Sequence, residues 1–264
     1  MIQKGLDYLR YGLWLVNGAR VKHERWIASL RHSDTASFVN GNNALLILDL
    51  ANGQLRPQYK ILRDQGHRVY GVDTVNLPKR GWRDCAYRIA RHFYAKDVSA
   101  NYSKRDDTLI CGDVSSLPFR NQSFDLVTSV AAFEHFLDVP SVLQEVHRVL
   151  RPGGLIWVLV HLFSCPSGGH NVCLSQVPLR SIPHGIEPWD HLRKRHLPFH
   201  VPLNEWRSEQ YLSEVEKSFE LLKHYCAMRE GEHILTQQIE NELCKYSRDE
   251  LTCGAYIILA RKSL

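Results

Sequence analysis

A chain of 264 residues, 44% hydrophobic and 23% charged, carries enough apolar material for one large α/β domain with an insertion, or two small domains, and excludes wholesale disorder. A formal charge of +5 permits an anionic or nucleic-acid partner without demanding one, and no apolar run approaches the roughly 18 residues that a membrane helix needs. Seven cysteines at scattered spacings fit reduced thiols better than a disulfide framework, so a cytoplasmic setting is expected.

Near the amino terminus, the patch from Leu13 to Val16 is bracketed by Arg10, Arg20 and Lys22 and lacks the cleavage site of a signal peptide. Leu6, Leu9, Leu13, Val16, Trp26 and Leu30 recur at helical spacing, which predicts two amphipathic helices in an N-terminal segment, residues 1–40. Packing on a sheet is the preferred role for this segment, a lid the alternative.

The stretch LLILDLANGQLRPQYKILRDQGHRVYGVD, residues 45–73, reads as strand, turn, helix, strand. An apolar run from Ala44 to Leu48 stops at Asp49, and a turn follows through Ala51, Asn52 and Gly53. A helix from Gln58 to Gln65 then leads to a second strand, Arg68 to Val72, ending in Asp73. Ligands of open α/β sheets sit outside the carboxyl ends of the strands, so Asp49, Gly53 and Asp73 are the first candidates for a small-molecule site. Residues 76–95 are basic and aromatic, and read as an irregular segment running into a surface helix, with phosphate docking as the alternative.

Thr108 to Cys111 reads as a third strand ending in Gly112 and Asp113, and Phe124 to Val130 as a fourth, followed by Glu134 and His135. Val142 to Leu150 is helical by spacing, and Arg151 to Gly154 predicts a sharp turn into a fifth strand, Leu155 to Val160. This alternation predicts a doubly wound, mostly parallel α/β sheet. Residues 161–203 hold six of the 14 histidines and are too long for an ordinary connection, which marks them as functional or mobile. Asn204 is expected to cap a helix to Lys217, followed by a strand at 219–227, a helix at 232–245 and a last strand at 253–260.

The run LICGDVSSLPFRNQSFDLVTSVAAFEHFLDVPSVLQEVHRVLRPGGLIWVLV, residues 109–160, resembles the class I S-adenosylmethionine-dependent methyltransferases of the type 11 group. The likeness covers residues 45–160, and 204–264 match in layout. It implies a seven-stranded Rossmann-like sheet with an antiparallel last strand, making residues 41–264 the methyltransferase domain. The insertion at 161–203 would be its acceptor region.

For the cofactor, S-adenosylmethionine, the resemblance implies that Asp49, Ala51, Asn52 and Gly53 accommodate the amino-acid part. Asp73 would accept hydrogen bonds from the ribose hydroxyls. Gly112, Asp113 and Val114 would meet the adenine, and Ser129 to Ala131, after the fourth strand, would lie beside the sulfonium. The chain reads DLANGQL where the family resembles DLGCGxG: Ala51 is tolerated there if its φ is negative, and Leu55 narrows the turn unless the loop is rerouted, so either the binding mode is altered or the cofactor site is weakened.

Methyl transfer to a hydroxyl also requires a base, and histidine suits neutral pH. The candidates are His170, which follows the Gly168-Gly169 pair, then His191, with His135 weighed between a catalytic and a loop-bonding role. The expected reaction is O-methylation of a small molecule or saccharide. An inactive binding protein of the same fold and N- or C-methylation are the alternatives. The spacing of His161, Cys165, His170 and Cys173 matches no paired zinc pattern, so no metal is expected. The single basic run at 191–196 lacks the aromatic interleaving of a nucleic-acid reader, so no nucleic-acid partner is expected either.

Overall fold

Strands that are apolar on both sides require cover on both sides, and the sequence supplies it. In the computed structural model, which describes residues 18–39, 44–76, 92–99, 107–171, 174, 185–199 and 201–263, seven strands form one sheet. They are β1 (Leu46–Leu50), β2 (Arg68–Val72), β3 (Leu109–Ile110), β4 (Phe124–Val130), β5 (Leu150–Val160), β6 (Phe219–Arg229) and β7 (Cys253–Lys262). Their order is β3-β2-β1-β4-β5-β7-β6, parallel except where β7 runs antiparallel to both β5 and β6. This is the doubly wound, mostly parallel α/β sheet expected of the sequence.

Alternation along the strands sorts the core into two layers. Leu48, Leu50, Val72, Val127, Val158 and Ile258 face α4 (Val139–Val149) and α6 (Ser208–Glu216). Ile47, Val69, Leu126, Trp157 and Ile257 face α1 (Ala19–Thr35) and α2 (Pro57–Asp64), and Ile27, Tyr59 and Leu62 fill the gap. A side chain such as Trp157, fully buried, contributes roughly 1.5–3 kcal/mol or more by leaving water. A short helix, α3 (92–98), adds Tyr94 and Val98 to a satellite cluster with Val21, Ala28 and Leu55.

α1 packs on the sheet, as preferred, and polar groups fix its position. Asp34 is 3% exposed and accepts hydrogen bonds from Trp157 Nε1 at 3.0 Å, Tyr225 OH at 2.9 Å and Lys223 Nζ at 2.5 Å. Residues 1–17 of the expected N-terminal helical segment, most of the basic 76–95 stretch, and Cys173 lie outside the described residues.

Several boundaries differ from expectation for local reasons. β1 extends past Asp49 to Leu50, because Leu50 still pairs with Val72 and Ser129. Arg151 to Gly154 is an irregularity inside β5 rather than a sharp turn before it. Leu150 already pairs with Phe124, and Gly153, at φ 74°, absorbs the shift in register before Leu155. α4 starts at Val139 because the Asp138 carboxylate accepts the Ser141 N–H at 3.1 Å, a cap worth about 1 kcal/mol. Residues 232–245 hold a 3-10 turn and a six-residue helix, α7 (Gln237–Glu242). A further short helix, α8 (Arg248–Thr252), leads into β7.

Candidate active site

Three strand ends carry the expected cofactor residues. At β1, Asp49 is 2% exposed, and one of its carboxylate oxygens, Oδ2, has no hydrogen-bond partner. Burial pushes its pKa up to about 7, against the pull of the Arg31 guanidinium from α1. Arg31 is itself buried, donates to Gln58 Oε1 at 2.9 Å, and is pushed down to about 10. Gln58 in turn donates to Glu24 Oε2 at 2.7 Å, so α1 brings an acid and a base to the end of β1 that helical spacing did not mark as functional.

The turn after Asp49 is left-handed twice over. Gly53 has φ 68°, and Ala51 has φ 52°, so the negative φ that would accommodate alanine is not met. The Ala51 N–H donates to the Val72 carbonyl at 2.8 Å, and this bond holds alanine in a conformation that costs it about 1–2 kcal/mol. Leu55 leaves the turn and packs with Val21, Ile61 and Tyr94. Gly71 is required by close approach, since a Cβ there would lie 2.9 Å from the Asn52 Oδ1. Asn52 is thereby wedged behind the turn and is joined to Asn76, which also donates to the Ile110 carbonyl at 3.0 Å.

Asp73 ties β2 to this turn: Oδ2 accepts the Gly53 N–H at 2.8 Å and Oδ1 the Val75 N–H at 2.9 Å. Asp113 is exposed at the end of β3, and its Oδ1 accepts the Ser115 N–H and hydroxyl, which hold it below the usual carboxylate range. Gly112 precedes it, half-exposed, and the Val114 side chain turns into the core. Ser129 lies within β4 rather than after it. It is fully buried, with its hydroxyl on the Leu50 carbonyl at 3.2 Å, so only the exposed Ala131, at φ 49°, marks the strand's end.

The ends of β4 and β5 bring together a second group. A 3-10 turn, Phe133–His135, follows β4, and the segment after β5 folds back so that the His170 ring lies 4.7 Å from that of His135 and 4.9 Å from that of His161. Glu134 is 2% exposed and neither of its oxygens has a hydrogen-bond partner. Burial pushes it up to about 8, held in check by the nearby N–H groups of Glu134 and His161, which are not aligned as hydrogen bonds. His170 Nε2, also without a partner, is 3.9 Å from Glu134 Oε1. Burial and the surrounding imidazoles push His170 down to about 2, so it is neutral.

The neighbouring histidines are already engaged. His161 Nε2 meets Ser167 Oγ at 2.8 Å and Cys165 Sγ at 3.1 Å, and Ser167 donates to the buried Glu230. His191 is buried at the start of α5 (Asp190–Arg193), with Nε2 on the Phe163 carbonyl at 2.7 Å and its pKa pushed down to about 4. Gly169 packs against it so closely that a Cβ would lie 2.8 Å from the His191 Cβ. His191 therefore braces the segment that carries His170. Asn204 does not cap α6, which begins at Ser208. Its Nδ2 donates to the Phe133 and Phe136 carbonyls at 2.8 and 3.0 Å, and its N–H to the Glu134 carbonyl at 2.9 Å, clamping the 133–136 turn.

Residues 48–158 match the family described as a methyltransferase domain. Over this stretch the chain is similar to a methyltransferase domain. The malonyl-[acyl-carrier protein] O-methyltransferase 1 of Coxiella burnetii is 46% identical over 93 residues, 35% of this chain and 30% of that protein. The 24-methylenesterol C-methyltransferase 2 of Oryza sativa subsp. japonica is 31% identical over 150 residues, 55% of this chain and 36% of that protein. The match to the curated relatives thus spans well under half their length. Among solved structures, the PH0226 protein of Pyrococcus horikoshii OT3 superimposes with a TM-score of 0.53 at 17% identity, covering 97% of this chain and 99% of that one. The matched stretch contains Asp49, Asp73, Asp113, Glu134 and His135, and His170 and Asn204 lie beyond it. Among the described residues no helix is long and apolar enough to cross a membrane.

Proposed function

We propose that the protein is an S-adenosylmethionine-dependent methyltransferase acting on a hydroxyl of a small molecule or saccharide. The carrying observation is the adjacency, along one sheet edge, of the Asp49–Gly53–Asp73 turn and the Glu134–His170 pair. The cofactor's chemistry fits the first group. The buried Asp49 oxygen lacks a partner that a cationic amino group could supply, and each Asp73 oxygen, bonded to one backbone N–H, keeps capacity for a ribose hydroxyl. When bound, S-adenosylmethionine supplies an electrophilic methyl group on a sulfonium.

Gly112, Asp113 and Val114 would face the adenine, with Asp113 Oδ2 left to accept from its amino group while Oδ1 is held by Ser115. On the acceptor side, His170 would take the hydroxyl proton at Nε2. Glu134 faces that nitrogen from 3.9 Å away. His135 would line the same space. The preference for oxygen over carbon rests on this imidazole, since relatives of both kinds match the chain.

Calorimetric titration with S-adenosylmethionine tests the cofactor, and methyl transfer from isotopically labelled cofactor to a panel of hydroxylated and carbon acceptors tests the reaction. His170→Ala is expected to slow turnover by about 100-fold or more while cofactor affinity changes little. Absence of both binding heat and thermal stabilisation by the cofactor would leave a binding protein of the same fold.

A further inference from the structure

The site expected to lack a metal contains the donor set of one. We propose that Glu134, His135 and His170 form a binding site for a divalent first-row transition-metal ion. One ligand atom from each can be chosen so that all three lie within 4.8 Å of one another. No sequence spacing reveals the set, because two ligands follow β4 and the third follows β5.

Distance decides against a simple hydrogen-bonded pair. At 3.9 Å, His170 Nε2 and Glu134 Oε1 are too far apart to share a proton, since such bonds span about 2.7–3.2 Å. Two metal bonds of about 2.1 Å reach up to about 4.2 Å, so one cation between these atoms contacts both with little movement. Both facing groups are otherwise without partners: the two Glu134 oxygens and His170 Nε2 make no hydrogen bond, and the Glu134 side chain is 2% exposed. A buried carboxylate and a buried imidazole nitrogen left in this way are costly to the fold unless a ligand meets them.

The surrounding structure sets the donors as a metal site requires. The Pro202 carbonyl can only accept, so His135 Nδ1, 2.9 Å from it, carries the proton and Nε2 presents its lone pair. The Asn204 clamp fixes the backbone on both sides of Glu134 and His135. His170 is held at φ 51°, with its N–H on the Ser167 carbonyl at 2.9 Å, behind glycines whose replacement would collide with Phe163 and His191. His161 stands outside the set because its Nε2 is taken by Ser167 and Cys165. Two imidazoles and one carboxylate favour zinc, manganese, iron or cobalt over calcium or magnesium. Three protein ligands leave positions open for water or an acceptor oxygen, and an ion there takes the His170 Nε2 lone pair, so the loaded site cannot use that nitrogen as the hydroxyl base.

The test uses the full-length protein, stripped with chelator and titrated with cobalt(II) alone, without S-adenosylmethionine, so its outcome is separable from that of the cofactor titration. The expected result is one cobalt per chain with visible bands of nitrogen and oxygen ligation. Glu134→Gln and His170→Ala should each weaken binding by about 100-fold while circular dichroism is retained, and Cys165→Ala should leave it unchanged. Three outcomes would overturn the proposal: no saturable binding, binding insensitive to Glu134→Gln and His170→Ala, or intense thiolate bands abolished by Cys165→Ala. The last would place the ion on the neighbouring His161, Cys165 and Glu230.

Discussion

The carboxyl edge of the sheet has two halves that handle polar groups in opposite ways. At β1, β2 and β3, the acids are fed largely by nearby backbone: Asp73 by Gly53 and Val75, Asp113 by Ser115. At β4 and β5, Glu134 and His170 face one another across 3.9 Å with nothing between them. The first half is therefore shaped before any ligand arrives, whereas the second half stores uncompensated donors and acceptors whose cost a ligand relieves. Removing a group from the first half should weaken binding and local order. Removing one from the second should spare the fold and change the chemistry.

The strongest way to break this contrast is Asp73→Ala, which leaves the Gly53 and Val75 N–H groups without their acceptor. Affinity for S-adenosylmethionine is expected to fall at least about 100-fold by calorimetry. Normal binding would mean that the ribose is held elsewhere. Asn204→Ala probes the other half through its clamp. Losing the bonds to Phe133 and Phe136 should cost about 2 kcal/mol in denaturant unfolding, and cobalt affinity should fall with it.

Asp49 is the exception in the first half, buried with one oxygen unpartnered, and pH exposes it. Its folded-state pKa is raised from 3.8 to about 7, so between those values the native state holds a proton that the unfolded chain has released. Stability of the cofactor-free protein should therefore fall as pH rises from about 4 to 7 and level off above, by up to about 4 kcal/mol. Asp49→Asn should flatten that decline, and an unchanged slope in urea titrations would assign it to another group. The smallest effect is expected from Ala51→Gly, which relieves a left-handed alanine and should stabilise the protein by about 0.5–1 kcal/mol.

The same contrast explains what could be read from the chain alone. Asp49, Gly53 and Asp73 belong to one strand, turn, helix and strand unit, so their meeting follows from local pattern and the parallel crossover. The sign of φ at Ala51 did not follow, because it is set by a bond to Val72, a neighbour only after the sheet forms. Asn204 shows the limit most clearly. Its Oδ1 accepts the Trp206 N–H two residues on, a local turn that shares its residue preference with a helix cap. Its functional bonds reach back 71 and 68 residues to Phe133 and Phe136. Glu134 and His170 are likewise 36 positions apart in sequence, separated by α4, β5 and the tight turn at Gly168 and Gly169.

The two outer strands bear on how the protein behaves when crowded. β3 offers only Leu109 and Ile110 for pairing, too short a template for a foreign strand to extend. β6 is long but repeatedly breaks register against β7, at Leu221/Lys223 and again around Met228, and it exposes Lys223, His224 and Arg229. Irregular spacing and charged side chains on that margin disfavour the stacking of copies edge to edge.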